Sequence, residues 1–307
     1  GPMKKILITG ANTGLGKECA RQLALRDGIE KIYLACRNNE KAEASKAELE
    51  KSTGKAIFEI ILMDVSNLES VRRAVQALSE PVDALVMNAG GLGGTEFLQH
   101  TQDGVTQITA SNLLGHVLLT DELLDQSKLT GTALYAGSEG ARGAPKIGIP
   151  KPTLSSGSVE EFTSICDGSS FGPISDPMSP YCMVKLMGAL WMASMARKHP
   201  DMRFVTVSPG HTGGTQVAED MPAIKKFFFK NVGFTILPLF GLAHGLQDGC
   251  RRYVDVLTGD QYKSGVFYGS EAKVLTGPLV DQSAIFDAFN NEAFQDNADT
   301  AIHGFIH

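Results

Sequence analysis

The sequence has no CxxC pair, no zinc-type ligand spacing, and no lysine/arginine block longer than two or three residues. The first two absences exclude a disulfide framework and a structural metal, and no metal site is expected. The five cysteines, at 19, 36, 166, 182 and 250, then read as reduced, mostly buried thiols of a cytoplasmic protein. Without a basic block, and with a formal net charge of −6, there is no electrostatic case for nucleic acid. A long membrane span is missing too. The one suspect, Phe227 to Ala243, is interrupted by Lys230 and Pro238 and is shorter than the ~20 apolar residues a span needs. It reads as an interfacial or substrate-covering segment, so no stable membrane insertion is expected. Gly1-Pro2 looks like a tag remnant, and the native start at Met3 runs straight into a strand and a glycine motif, which leaves no room for a signal peptide.

What is present supports a large core. Hydrophobic residues make up 43% of the 307 and charged residues 20%. In the first half, short apolar runs alternate with amphipathic stretches, the pattern of repeated βαβ units. Strands are expected at Lys5–Thr9, Lys31–Cys36, Ala56–Met63, Ala84–Met87, near Thr132–Ala136, at Phe204–Val207 and at Gly265–Tyr268. Helices are expected over Gly14–Arg26, Glu40–Lys51, Leu68–Leu78, Gly104–Leu124 and Ser179–His199. The expected fold is α/β, a Rossmann-type doubly wound parallel sheet in three α/β/α layers. It forms one domain over 3–307, with an insertion at 139–178 and a substrate-covering segment at 212–245.

Thr9-Gly10-Ala11-Asn12-Thr13-Gly14-Leu15-Gly16 falls between the first strand and the first helix. Glycines there permit a tight turn and close backbone approach to a pyrophosphate, and the helix N-terminus offers unpaired N–H groups. Position makes this motif informative, since glycine spacing alone is weak evidence. The second strand ends Cys36-Arg37-Asn38 with no acid until Glu40, where an acid would bond ribose hydroxyls. Arg37 can instead pair with a 2′-phosphate, which favours NADP(H).

Of six tyrosines, only Tyr181 has a lysine four residues on, Lys185, and both fall at the start of a helix where the two share a face. A phenol of pKa ~10 is a poor base; bringing it near working pH requires roughly 3–4 kcal/mol, which a neighbouring ammonium and an oxidised nicotinamide would supply. Ser138 follows an expected strand and is placed to reach a substrate oxygen. Asn112 lies inside a long apolar helix, where an amide reads as either a relay through backbone or water or a plain buried hydrogen bond.

Together these residues resemble the short-chain dehydrogenase/reductase family over nearly the whole chain. The resemblance runs through the glycine loop, Asp64-Val65, Asn88-Ala89-Gly90, Asn112, Ser138, Tyr181/Lys185 and Pro209-Gly210. It implies Tyr181 as acid/base, Lys185 as its pKa modifier and a ribose ligand, Ser138 as the substrate-oxygen donor and Asn112 as part of a proton relay. Gly10, Asn12, Thr13, Gly14, Leu15, Gly16, Arg37 and Asn38 would hold the cofactor, with Asp64 at the adenine. Val65, Asn88, Ala89, Gly90, Pro209 and Gly210 would line it, and Thr212 or Thr215 would bind the nicotinamide amide. The stretch from Ala35 to Glu43, with Asn112-Leu113-Leu114-Gly115-His116, is similar to the retinol dehydrogenase and protochlorophyllide reductase-like branch. His211 stands where protochlorophyllide reductases typically carry a cysteine. The expected activity is carbonyl–alcohol interconversion on an apolar small molecule, by a homodimer or a monomer. The alternatives are reduction of a carbon–carbon double bond and a non-catalytic NADPH sensor.

Overall fold

The computed structural model describes residues 1–12, 14–210 and 245–307. Thr13, Thr212 and Thr215 lie outside the described residues, as does the expected covering segment 212–245 except for Gly245.

Eight strands form one sheet: β1 (Lys5–Thr9), β2 (Lys31–Cys36), β3 (Phe58–Leu62), β4 (Val82–Met87), β5 (Leu129–Ala136), β6 (Arg203–Val207), β7 (Phe267–Gly269) and β8 (Val280–Asp281). Their order is β3-β2-β1-β4-β5-β6-β7-β8. Pairing is parallel throughout except between β7 and β8. β1, β4 and β6 read as nearly continuous apolar runs because both faces of a parallel sheet are covered. The order reverses between β1 and β4, where such sheets open a crevice beyond the strands' carboxyl ends.

The helices among the described residues are α1 (Gly14–Ala24), α2 (Asn39–Thr53), α3 (Leu68–Ala77), α4, α5 (Val159–Cys166), α6 (Met178–Lys198), α7 (Leu246–Thr258) and α8 (Glu292–His303). Here α4 denotes Gln107–Thr109, a π-helical turn Ala110–Leu114, and Gly115–Asp125, joined end to end. α1, α2 and α7 pack one sheet face around Ile8, Leu34, Val86 and Val205. α3, α4 and α6 pack the other around Leu7, Leu85, Ala133 and Trp191. Asn38 caps α2 by accepting from Lys41 N at 2.9 Å, and Asn67 caps α3 by accepting from Ser70 N at 3.1 Å.

Two differences from the sequence reading matter. The expected continuous helix over Gly104–Leu124 begins only at Gln107 and widens into the π turn that contains Asn112. The stretch 139–178, read as a Gly/Pro/Ser-rich insertion, contains two 3-10 turns and α5. Ser158 accepts from Glu161 N at 3.1 Å, and the Glu161 carboxylate takes the N–H groups of Ser155, Ser156 and Gly157. That cap starts a helix whose Phe162, Ile165 and Cys166 are buried. α7 and α8 were not expected at all.

Candidate active site

The glycine turn is built for close approach. Gly10 (φ 60) and Gly14 (φ 55) occupy the left-handed region. A Cβ on Gly16 would stand 2.2 Å from the Gly10 carbonyl oxygen, so Gly16 lets α1 pack beneath the turn. At Gly14 a Cβ would meet nothing within 4 Å, although Gly14 lines the crevice. The protein leaves that space open above the α1 N-terminus, which suits a diphosphate. Gly10, Asn12, Gly14 and Leu15 all border this cleft of about 870 Å3.

At one end of the cleft, Arg37 and Asn38 follow β2, joined by Lys41, which sequence reasoning missed. The Asn38 side-chain oxygen is engaged in the α2 cap, while Arg37 and Lys41 are exposed cations. Asp64 and Val65 form the neighbouring wall, the Asp64 carboxylate accepting from Ser66 N at 3.0 Å and Ser66 Oγ at 2.6 Å.

Thr9 ties the turn to the next strand end. Its Oγ1 accepts the N–H groups of Asn88 and Ala89, both at 2.9 Å. Its own proton therefore goes to His116 Nε2 at 2.9 Å, which leaves Nδ1–H facing the Asn112 carbonyl at 3.4 Å. Burial, then the Lys185 charge, brings His116 down to about 3, so the ring is neutral. Asn88, Ala89 and Gly90 reach the cleft on this support.

The chemistry-bearing side chains converge at the other end. Ser138 caps the 3-10 turn after β5, its Oγ accepting from Gly140 N at 3.1 Å, and it stands near enough to the Tyr181 hydroxyl to favour the phenolate. Lys185, one helical turn on, donates from Nζ to the Ala136 carbonyl at 2.7 Å. That Nζ stands 4.8 Å from the Tyr135 ring centroid and 5.7 Å from that of Tyr181. Asn112 lines the cleft, but its amide donates to Gly91 O (2.7 Å) and Ile108 O (2.8 Å), and its carbonyl accepts the Tyr135 hydroxyl at 2.7 Å. Tyr135 thus takes one lone pair of the Asn112 backbone carbonyl.

The sequence reading had the ammonium lowering the phenol, and in the protein alone burial reverses this. It pushes Tyr181 well above the usual phenol range and brings Lys185 down to about 7. Lys185 alone therefore does not bring the Tyr181 phenol down into its ordinary range.

Sequence reasoning also missed a buried polar knot behind Ser138. Glu139 accepts from Ser208 Oγ, from Ser270 N at 3.0 Å and from Arg252 Nη1 at 3.2 Å. Burial would raise its carboxyl, but Arg252 and these donors hold it below the usual range. The Ser208 hydroxyl in turn accepts from Gly210 N at 3.1 Å, which sets the Pro209–Gly210 turn; Pro209 lines the cleft. Only adjacency to Ser138 could have pointed to Glu139, since Arg252 lies 113 residues away. Beyond Ser138 the cleft wall turns apolar, with Ala144, Ile147, Ile149, Met178 and Leu275.

Residues 4–145 match the family model described as short chain dehydrogenase. Human retinol dehydrogenase 13 is 38% identical over 130 residues, 41% of this chain and 38% of that protein. The chloroplastic short-chain dehydrogenase TIC 32 B of Brassica napus is 29% identical over 216 residues, 67% of this chain and 62% of that protein. The chain thus spans between about two fifths and three fifths of the length of these relatives. Among solved structures, the KRED1-Pglu enzyme superposes with a TM-score of 0.59 at 20% identity, covering 86% of this chain and 99% of that one. A short-chain dehydrogenase from Sphingobium yanoikuyae, in complex with NADPH, gives 0.56 at 18%, covering 83% and 84%. These two likenesses are of fold.

Proposed function

We propose that the chain, which is similar to short-chain dehydrogenases over residues 4–145, is an NADP(H)-dependent oxidoreductase interconverting a carbonyl and an alcohol on an apolar substrate. One observation carries the reading: Ser138, Tyr181 and Lys185 meet at the rim of the cleft whose far end holds the glycine turn and two exposed cations. A dinucleotide fits the residues present. The open space above Gly14 and the α1 N-terminus suit its diphosphate, and Arg37 with Lys41 suit a 2′-phosphate. The bound nicotinamide supplies or takes up a hydride at the substrate carbon.

The protein's own residues handle the oxygen and its proton. Ser138 Oγ hydrogen-bonds the substrate oxygen and fixes it beside the Tyr181 hydroxyl. In reduction the Tyr181 O–H gives its proton to that oxygen; in oxidation the phenolate takes it back. Lys185, held by Ala136 O, stabilises the phenolate from the next helical turn. The apolar wall from Ala144 to Ile149, with Leu275, excludes water from the substrate side and favours an apolar body. Five buried free thiols suit a reducing compartment, so the cytoplasm is part of the proposal.

Following NADPH and NADH oxidation with a panel of aliphatic and aromatic aldehydes and ketones tests the reading. Tyr181→Phe is expected to lower kcat by roughly 10²–10⁴-fold while NADPH affinity holds within about threefold, since the phenol acts on the substrate oxygen. Undiminished turnover in that variant would remove Tyr181 from the chemistry.

A further inference from the structure

Tyr253 on α7 is explained neither by the packing nor by the chemistry proposed so far. Its side chain is 0% exposed and its hydroxyl has no hydrogen-bond partner among the described residues. A buried O–H without an acceptor carries a full desolvation penalty, and phenylalanine would fill the same space without it. Yet Tyr253 borders the cleft, and its hydroxyl is near enough to feel the Tyr181 and Glu139 charges. Burial keeps the group protonated, so what it lacks is an acceptor.

The hydroxyl lies within electrostatic reach of Cys19 on α1 at one side and of Tyr181 and Glu139 at the other, and the residue lines the cleft. That places it under the stretch of cleft between the α1 N-terminus and the Ser138–Tyr181 end. α7 is clamped in the turn just before Tyr253. Cys250 Sγ donates to Leu15 O at 3.0 Å, and Arg252 donates to Ser208 O at 3.0 Å, Ser270 Oγ at 2.7 Å and Gly277 O at 2.9 Å. The hydroxyl is therefore held in place rather than free to swing toward a protein acceptor. A dinucleotide with its phosphates on α1 and its ring beside Tyr181 must cross this stretch.

We propose that the Tyr253 hydroxyl is a cofactor-binding donor, giving its hydrogen bond to an oxygen in the nicotinamide half of the dinucleotide, on either the diphosphate or the carboxamide. The assignment rests on the dinucleotide reading above. Calorimetric titration of wild type and Tyr253→Phe with three ligands tests it: 2′,5′-ADP, 2′-phospho-ADP-ribose and NADP+. NADP+ is expected to bind the variant about tenfold more weakly, with 2′,5′-ADP unchanged within about twofold. An equal loss with 2′-phospho-ADP-ribose assigns the diphosphate, and no loss there assigns the carboxamide. Without ligand, the variant is expected to melt at the wild-type temperature or above, because no protein partner is removed. Unchanged NADP+ affinity, an equal loss with 2′,5′-ADP, or a markedly lower unliganded melting temperature would each overturn the assignment. A wild type that binds none of the three sinks the dinucleotide reading itself, a separate outcome from a wild type and variant that bind all three alike.

Discussion

Arg37 and Lys41 differ in what they offer a phosphate, although both stand exposed where β2 passes into α2. A guanidinium presents a rigid fork to two phosphate oxygens, whereas an ammonium is a mobile point charge. The proposed NADP(H) preference should therefore rest mainly on Arg37. In titrations, Arg37→Ala is expected to weaken NADPH binding about tenfold or more and to leave NADH within about twofold, with Lys41→Ala giving about a third of the loss in log units. Equal weakening of both dinucleotides by Arg37→Ala would remove the 2′-phosphate assignment. Arg37 was legible because a strand end after a glycine turn is a fixed station of the fold. Tyr181 and Lys185 were legible because helical spacing puts them on one face. Tyr135, His116 and Tyr253 were not, since a polar residue within an apolar run looks like packing until its distant partner, or the lack of one, is seen. Spacing shows the lysine beside Tyr181 but not the desolvation of both groups.

Among the elements, β1, β2 and β4 were readable as apolar runs closed by Gly or Asn, while α8 was not. Its buried residues include Gln295 and Asp299 beside Ala298, Ala301 and Ile302, so no clean apolar stripe marks it. α8 instead docks through ions. Lys198 Nζ meets Asp299 at 2.6 Å, Arg197 meets Asp296 at 2.6 Å, and His303 Nε2 meets Asp121 on α4 at 2.7 Å. Hydrogen bonds to Asp121, then to Asp299, raise His303 to about 10. A histidine raised on folding stabilises fully below its unfolded pKa of about 6.5, and that contribution fades as pH climbs toward about 10. His303 is 35% exposed, so solvent screening limits the effect to about 1 kcal/mol. Urea unfolding read through the sole tryptophan, buried Trp191, should find His303→Gln less stable than wild type by that amount near pH 6. The two curves should converge by pH ~10. A gap of constant size across the range would mean that the histidine contributes by packing and not by charge.

At the scale of the whole molecule, the fold class was legible from the βαβ rhythm, but what covers its surface was not. α6 carries the Tyr181–Lys185 pair on a helix whose residues from Pro180 to Met195 are all buried. The sheet covers one side. α5, from the stretch read as a loop, and α8 cover the other: Cys166 Sγ lies 3.8 Å from Met187 Sδ, and Ser194 Oγ donates to Asp296 at 2.7 Å. α5 and α8 also lock to each other, with Asn297 donating to Gly157 O at 2.9 Å and no room for a Cβ on Gly157 against the Phe294 ring. A second copy could pair along α6 only by displacing these helices and exposing the apolar residues beneath them. That penalty falls on both partners, whereas a stable interface needs a preformed face of about 800 Å2 on each. The protein is therefore expected to run as a monomer in light scattering coupled to size exclusion, with a mass near 32.8 kDa at micromolar concentration. A mass near twice that value would have a decisive follow-up in hydrogen exchange. Faster exchange across Val159–Cys166 and Glu292–His303 in the dimer would show α5 and α8 leaving α6, whereas unchanged protection would place the contact elsewhere on the molecule.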